Sequence, residues 1–258
     1  MLLAYDDKGP GHAVVLLHGF PLNRKMWSAQ EASVGSVYRL IVPDLRGHGE
    51  SAAPEGTYTM DVMADDVIEL LDALQITEPI VLGGLSMGGY VALSLASRFP
   101  GRIRGLMLMD TRASADSPEV ARNRQGLAQR VEESGQVAEV VDAMLPRLFS
   151  ESTRTTRSDL IAPIRQMMEK SRPRGVAGAL RGMAIRPDRT ADLAQIQVPT
   201  LVLVGADDVI TPVEEARAMA KALPKGHLEV IPDAGHLAPW ENHAATDRAI
   251  VRFLQELP

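Results

Sequence analysis

The stretch from residue 79 to residue 96 reads Pro-Ile-Val-Leu-Gly-Gly-Leu-Ser-Met-Gly-Gly-Tyr-Val-Ala-Leu-Ser-Leu-Ala. It begins with a short continuous apolar run, which is typical of a strand that is buried on both faces. Its second half is rich in small and apolar residues and predicts a helix. Between the two, Gly84-Leu-Ser-Met-Gly88 fits the pattern G-x-S-x-G, so we interpret it as a sharp turn from strand to helix.

Ser86, at the tip of this turn, is a candidate nucleophile. The backbone of such a turn is strained, and residues two before and two after the serine approach so closely that side chains would clash. The turn projects the hydroxyl beside a helix N-terminus, where free N–H groups favour negative charge. The alternative is that these five residues form a glycine-rich turn that only packs a helix against a strand. The strand before it and the helix after it favour the catalytic interpretation.

The rest of the chain alternates between short apolar runs and segments of helical periodicity. Met60–Leu74 and Trp240–Leu257 are predicted as amphipathic helices. Another helix is expected to begin with Thr211 as N-cap, Pro212 at the first helical position and Glu214 completing a capping box. The alternation predicts a mostly parallel, doubly wound sheet covered by helices on both faces. The predicted strands are Ala13–Leu17, Tyr38–Val42, Pro79–Leu82, Ile103–Met109, Thr200–Val204 and His227–Ile231.

Residues 112–189 interrupt this alternation, because they contain helical patterns and no convincing strand. We therefore divide the chain into an α/β core, formed by residues 1–111 and 190–258, and an inserted helical cap of residues 112–189. The predicted cap helices are Pro118–Glu133, Gln136–Leu145, Thr153–Lys170 and Arg174–Met183.

Composition excludes several classes of function. The chain has 258 residues, a formal net charge of −6 and no cysteine, so it has no disulfide, thiol nucleophile or thiolate metal site. The acidic balance and the absence of a basic cluster argue against nucleic acid as a partner. The N-terminus does not resemble a signal peptide, and the apolar runs are too short to span a membrane. We expect a cytoplasmic monomer or homodimer that does not act at a membrane.

A catalytic serine needs a base within hydrogen-bond reach and an acid that orients the base. Asp207 and Asp208 both follow a predicted strand; we favour Asp208 as the acid, while the alternative is a pair that caps the next helix. His236 follows the last predicted strand in a glycine-containing loop and is the candidate base. His227 and His243 are predicted to be exposed instead.

Backbone N–H groups are the expected donors to an oxyanion, and Phe20 and Met87 are the candidates. Met87 follows the serine, and Phe20 follows the first apolar strand in the turn His18-Gly-Phe. We expect His18 to shape this turn by hydrogen bonding to neighbouring loops. The charged segment Asp44–Ser51 is interpreted in the same way, as loop architecture near the site.

Taken together, these motifs closely resemble the α/β-hydrolase superfamily, in particular small bacterial carboxylesterases and enol-lactonase-like hydrolases with a helical cap. The resemblance covers nearly the whole chain except the cap. It implies Ser86 as nucleophile, His236 as base, and Phe20 and Met87 as oxyanion donors. The family's usual step of three residues after the strand-end glycine implies Asp208 as the acid. The matching segments are Leu17-His-Gly-Phe-Pro-Leu22, Trp27 with Gln30, Pro43–Ser51, Gly84–Gly89, Gly205–Asp208, and Gly235-His-Leu237 with Glu241-Asn242.

Two features separate this chain from parts of the superfamily. His243 stands where a proline commonly follows the Glu-Asn pair, which leaves the start of the last helix uncertain. The nucleophile is Ser86 and not an aspartate, which argues against the dehalogenase and epoxide-hydrolase branches.

The resemblance implies a serine hydrolase that cleaves carboxylic esters and needs no metal or organic cofactor. The apolar, methionine-rich cap favours short to medium acyl chains. Its expected partner is a small-molecule ester. Trp27, Met144, Leu145 and Trp240 are candidate substrate-binding residues, although each can equally pack within the core or the cap. An enol-lactonase or a C–C bond hydrolase is the alternative enzyme; either needs a cation, such as an inward cap arginine, for a substrate carboxylate. A ligand receptor on a hydrolase scaffold is the alternative from another class.

Overall fold

A twisted sheet of seven strands forms the centre of the computed structural model, which describes residues 1–257. The strands are β1 (Tyr5–Lys8), β2 (Ala13–Leu17), β3 (Arg39–Pro43), β4 (Ile80–Leu85), β5 (Ile103–Met109), β6 (Thr200–Gly205) and β7 (Gly226–Ile231). Their order across the sheet is β1-β3-β2-β4-β5-β6-β7. All neighbouring pairs are parallel except β1 with β3. The mostly parallel sheet predicted from the sequence is therefore present.

Helices cover both faces of the sheet. Those of the core are α1 (Ser28–Ser33), α2 (Met60–Ala73), α3 (Met87–Arg98), α9 (Val213–Ala222), α10 (Ala238–Glu241) and α11 (His243–Gln255). Between β5 and β6 lie α4 (Pro118–Ser134), α5 (Ala138–Leu148), α6 (Glu151–Thr156), α7 (Ser158–Glu169) and α8 (Pro173–Ala184). None of these helices, within residues 1–257, is long and apolar enough to cross a membrane.

The six predicted strands are present, and the seventh, β1, was not predicted. Every residue of β4 and β6 is buried, which explains why their sequences are continuously apolar. β1 reads Tyr-Asp-Asp-Lys and is half-exposed at the edge of the sheet, where polar side chains are common. A search for apolar runs does not detect such a strand.

Two predicted helices are each divided in the structure. The segment predicted as Trp240–Leu257 contains α10 and α11, separated at Asn242, whose backbone is not helical (φ −127°, ψ 62°). The Asn242 side chain accepts a hydrogen bond from the Ala245 N–H and thereby caps α11. The segment predicted as Thr153–Lys170 is likewise divided between α6 and α7 at Arg157.

The predicted capping box at Thr211 is wrong. Helix α9 begins at Val213, with Pro212 as its N-cap residue in an extended conformation. The Thr211 hydroxyl donates a hydrogen bond to the carboxylate of Asp208 (2.6 Å). The Thr211 hydroxyl therefore hydrogen-bonds to the charged side chain of Asp208, three residues earlier, and does not cap the helix.

Helix α8 fastens the cap region to the core by close backbone contact. The Tyr58 N–H donates a hydrogen bond to the Gly178 carbonyl (3.0 Å). A β-carbon at position 182 would lie 1.6 Å from the Tyr58 carbonyl oxygen, so only glycine fits there.

Candidate active site

Ser86 occupies a strained turn between β4 and α3, as the G-x-S-x-G pattern predicts. Its φ is 52° and its ψ is −112°, a conformation that residues other than glycine rarely adopt. A β-carbon on Gly84 would lie 2.2 Å from the Gly88 carbonyl oxygen, and one on Gly88 would lie 2.3 Å from the Leu17 carbonyl oxygen. Both glycines are therefore required by the closeness of the backbone segments.

A continuous chain of hydrogen bonds joins Ser86, His236 and Asp208. The distance from Ser86 Oγ to His236 Nε2 is 2.8 Å, and that from His236 Nδ1 to Asp208 Oδ2 is also 2.8 Å. The three residues follow β4, β6 and β7, whose carboxyl ends lie at one edge of the sheet. His236 and Asp208 are buried, whereas Asp207 is exposed. Of the two adjacent aspartates, the structure thus brings Asp208 to the histidine.

Asp208 is held as a carboxylate by several donors. Burial alone would raise its pKa, but His236 and the hydrogen bonds from Thr211 outweigh burial, and the pKa of Asp208 lies below its ordinary value. The backbone N–H groups of Ile210 (2.7 Å) and Thr211 (3.0 Å) donate to its Oδ1 atom. A negative charge fixed in this way suits a residue that orients an imidazole and stabilises the imidazolium.

The two candidate oxyanion donors are the N–H of the residue after the serine and an N–H on a loop that passes close to it. Met87 is the first residue of α3, a position at which the N–H has no partner within the helix. The loop that carries Phe20 passes close to the serine, since a β-carbon at position 19 would lie 3.6 Å from the Ser86 β-carbon. Within residues 1–257 the Phe20 N–H donates to no other main-chain group.

His18 connects two loops next to the site. Its Nε2 atom accepts a hydrogen bond from the Leu45 N–H (2.9 Å), so Nδ1 carries the proton and donates to the Gly19 carbonyl (2.9 Å). Burial lowers the pKa of His18 to about 4, so the ring is neutral near pH 7. These contacts agree with the loop-shaping role expected from the sequence.

Asp44 organises the charged segment of residues 44–51. Its carboxylate pairs with the guanidinium of Arg24 and accepts hydrogen bonds from the N–H groups of Arg24 and Glu50, both at 2.8 Å. The Ser51 hydroxyl donates to the Asp44 carbonyl (2.6 Å). These contacts hold the loop of residues 44–51 in place, as expected from the sequence.

The end of β5 contacts all three loops of the site, although none of its residues is among the candidates predicted from the sequence. The Asp110 carboxylate accepts hydrogen bonds from the N–H groups of Gly205 (2.8 Å), before Asp208, and Ala238 (3.3 Å), after His236. The Thr111 hydroxyl donates to the Ser86 carbonyl (2.8 Å). Burial, and then the charge of Asp208, raise the pKa of Asp110 well above its ordinary value. An Asp-Thr pair at the end of a buried strand was the available signal.

The four candidate substrate-binding residues occupy different environments. Trp27 is fully buried in the hydrophobic core, which favours the alternative that it packs within the core. Trp240 is half-buried, and its indole N–H donates to the Leu160 carbonyl of α7 (2.9 Å). Met144 and Leu145 lie on α5, half-buried and buried respectively, and contact with a substrate stays a prediction for them.

Comparison with known proteins assigns the family. The profile of the alpha/beta hydrolase fold matches residues 12–243. A thermophilic esterase from Thermogutta terrifontis, solved with malate bound, has a TM-score of 0.96 and 49% identity, covering 98% of this chain and 93% of that chain. An enol-lactonase from Burkholderia xenovorans has a TM-score of 0.90 and 30% identity, covering 98% and 96%. The 3-oxoadipate enol-lactonase 1 of Acinetobacter baylyi is 31% identical, covering 93% of this chain and 88% of that protein.

These similarities extend over the core and the cap region alike, and they confirm the fold class predicted from the sequence. The chain belongs to the α/β-hydrolase family and is a hydrolase.

Proposed function

We propose that this protein is a serine hydrolase that cleaves carboxylic esters with short to medium acyl chains. The observation that carries the proposal is the hydrogen-bonded chain from Ser86 Oγ through His236 to Asp208, with both distances at 2.8 Å. The similarity to the Thermogutta esterase, at 49% identity, favours an ester as substrate.

In the acylation step, Ser86 Oγ attacks the ester carbonyl while His236 Nε2 accepts the serine proton. Asp208 keeps the other ring proton on Nδ1 and stabilises the imidazolium that forms. The N–H groups of Phe20 and Met87 bind the oxyanion of the tetrahedral intermediate. His236 then donates its proton to the departing alcohol, which leaves the acyl group on Ser86.

The second half of the reaction repeats these roles with water as the nucleophile. His236 removes a proton from water, and the resulting attack on the acyl carbonyl forms a second tetrahedral intermediate in the same oxyanion site. Collapse of that intermediate releases the carboxylic acid and restores Ser86. Asp208 is a suitable partner throughout because its pKa lies below the ordinary value, so it stays ionised near neutral pH.

The charges of the cap favour a substrate without a carboxylate. Each cap arginine that is at least half-buried already binds a carboxylate or a carbonyl of the protein: Arg112, Arg124, Arg172, Arg181, Arg186 and Arg189. The remaining cations of residues 112–189 are exposed: Arg122, Arg130, Arg147, Arg154, Arg157, Arg165, Lys170 and Arg174. His18 and His48 are buried, and burial lowers their pKa values to about 4 and about 3. A neutral ester therefore suits the site better than a substrate with a carboxylate.

The second candidate function is an enol-lactonase, which the similarity to two such enzymes at 30% and 31% identity favours. It needs one of the paired arginines to release its partner for the substrate. A panel of 4-nitrophenyl esters with acyl chains of two to about twelve carbons, assayed beside an enol-lactone and a neutral lactone, separates the candidates. We expect a maximum of kcat/KM among the shorter esters. A preference for the enol-lactone by orders of magnitude contradicts the proposal.

A further inference from the structure

The short helix α10 connects the loop of His236 to the cap region. Its last residue, Glu241, is only 9% exposed. The Glu241 carboxylate accepts a hydrogen bond from the Gly235 N–H through Oε1 (2.6 Å). Through Oε2 it accepts hydrogen bonds from the backbone N–H and the hydroxyl of Ser150, both at 3.0 Å. Gly235 directly precedes His236, and Ser150 lies between α5 and α6. One carboxylate therefore binds both segments.

The two segments also touch each other beside this carboxylate. A β-carbon at position 235 would lie 2.7 Å from the Ser150 nitrogen and 2.8 Å from the Phe149 carbonyl carbon, so the backbones meet without an intervening side chain. Trp240, which precedes Glu241, adds its hydrogen bond to the Leu160 carbonyl of α7. Two consecutive residues of α10, Trp240 and Glu241, thus connect the cap region to the helix that follows the His236 loop.

The other end of α10 is fixed to the core. The Ala238 N–H donates to Asp110, and the Ala238 carbonyl accepts a hydrogen bond from the Thr246 hydroxyl (3.1 Å). No cation pairs with Glu241 in the part of the chain that the structure describes, so the donors of Gly235 and Ser150 stabilise its charge. Withdrawal of the cap removes two of these donors, and the carboxylate is then bound to the His236 loop alone.

We propose that Glu241 is a positioning residue that couples the cap to the loop that carries His236. The proposal rests on the function proposed above, in which His236 is the base. When the cap is docked, the carboxylate holds the Gly235 N–H and sets the imidazole at hydrogen-bond distance from Ser86. When the cap moves away, the loop gains freedom. A base displaced by about 1 Å lowers the rate strongly.

The test compares Glu241→Gln with a matched Glu31→Gln variant. The amide has the volume of the carboxylate, but one of its ends is a donor and cannot accept from the N–H groups of both Gly235 and Ser150. Glu31, on α1, has a side chain that is 12% exposed and pairs only with Lys8 of β1. With 4-nitrophenyl acetate, we expect Glu241→Gln to lower kcat about 10- to 100-fold per folded molecule, with KM close to that of the wild type. Glu31→Gln keeps the wild-type kcat.

Hydrogen–deuterium exchange measures the coupling without any turnover. We expect Glu241→Gln to speed exchange in residues 149–157 and in residues 232–237 together, and Glu31→Gln to change neither. Ser150→Ala, which keeps the carboxylate and removes one donor, is expected to give the same pattern at smaller amplitude, and it tests the coupling if Glu241→Gln does not fold. Faster exchange in one segment alone, or an unchanged kcat in folded Glu241→Gln, overturns the proposal. A wild-type protein that hydrolyses no ester contradicts the proposed function instead, and the exchange result still stands.

Discussion

The edge of the sheet that carries Ser86 and the cap region of residues 112–189 are held in different ways. At the sheet edge, the backbone of Ser86 is hydrogen-bonded to the Met109 carbonyl and the Thr111 hydroxyl. The Asp110 carboxylate accepts hydrogen bonds from one N–H before Asp208 and from one N–H after His236. Helix α8 of the cap region is attached to the core by close backbone contact at Tyr58, and other parts of the cap region are linked to the core by single side chains that donate to carbonyl groups. Trp240 reaches Leu160 (2.9 Å), Ser171 reaches Pro21 (2.8 Å) and Arg172 reaches Gly49 (3.1 Å).

This difference indicates which part of the molecule is rigid and which part can rearrange. Ser86 and Asp208 follow the fully buried strands β4 and β6, whereas the His236 loop is also held to the cap region through Glu241. Each side-chain link to the cap contributes on the order of 1 kcal/mol, so a few of them can break and re-form while the core stays folded. We infer that the core fixes Ser86 and Asp208 and that the cap region can rearrange around them.

Removal of the nucleophile has the largest expected effect. Ser86→Ala is predicted to lower kcat at least 10³-fold, and up to about 10⁶-fold, because no other group can form the acyl-enzyme. Circular dichroism and the melting temperature serve as the control and should match those of the wild type. Ester turnover that survives the substitution in purified protein rules out Ser86 as nucleophile and, with it, the division of roles between core and cap.

The two adjacent aspartates provide a sharper test of the core. Asp208→Asn is predicted to lower kcat about 10³- to 10⁴-fold, because an amide no longer holds the imidazole in the required tautomer. The matched Asp207→Asn variant changes an exposed side chain and should turn over esters at close to the wild-type rate. Equal losses in both variants would show that the buried position of Asp208 does not decide its role.

The buried histidines beside the site make stability depend on pH. Burial lowers the pKa of His18 to about 4 and that of His48 to about 3, from an ordinary value of 6.5. Below pH 6.5 the unfolded chain binds protons that the folded protein does not, so the free energy of unfolding falls as the pH falls toward 4, by at most about 1.4 kcal/mol per pH unit for each ring.

Asp110 acts in the opposite direction, because its raised pKa lets the folded state bind a proton that the unfolded chain has lost. Urea unfolding at pH 7.5 and pH 5 measures the stability at pH 7.5 minus that at pH 5, to which each histidine contributes positively and Asp110 negatively. The exposed His12 provides a control, since His12→Gln should leave this difference unchanged, whereas His48→Gln should reduce it. A His48→Gln variant with the same difference as the wild type contradicts the prediction.

Loosening the cap has the smallest expected effect. Trp240→Phe removes the hydrogen bond to Leu160 and keeps most of the ring, so we predict a loss of about 1 kcal/mol in stability and faster hydrogen exchange in α7. The rate with 4-nitrophenyl acetate should change less than in Asp208→Asn. A loss of activity as large as in Asp208→Asn contradicts the inference that the cap region can rearrange without loss of catalysis.

The sequence predicted most of the fold and the members of the candidate triad, because both depend on local patterns. Continuous apolar runs mark strands covered on both faces, and the G-x-S-x-G turn marks the place where one strand passes into a helix. Ser86, Asp208 and His236 can then meet, because each follows a strand of one parallel sheet and the carboxyl ends of those strands share one edge.

Contacts between residues far apart in sequence decided the rest. Asp110 and Glu241 owe their roles to partners on other loops, and nothing in their neighbouring residues shows those partners. The distinction between Asp207 and Asp208 rested on resemblance until burial separated them. The pairing of every inward cap arginine, which bears on the substrate, likewise arises only when the chain is folded. A local pattern fixes the backbone path, whereas the partner of a buried charge is chosen by packing in three dimensions.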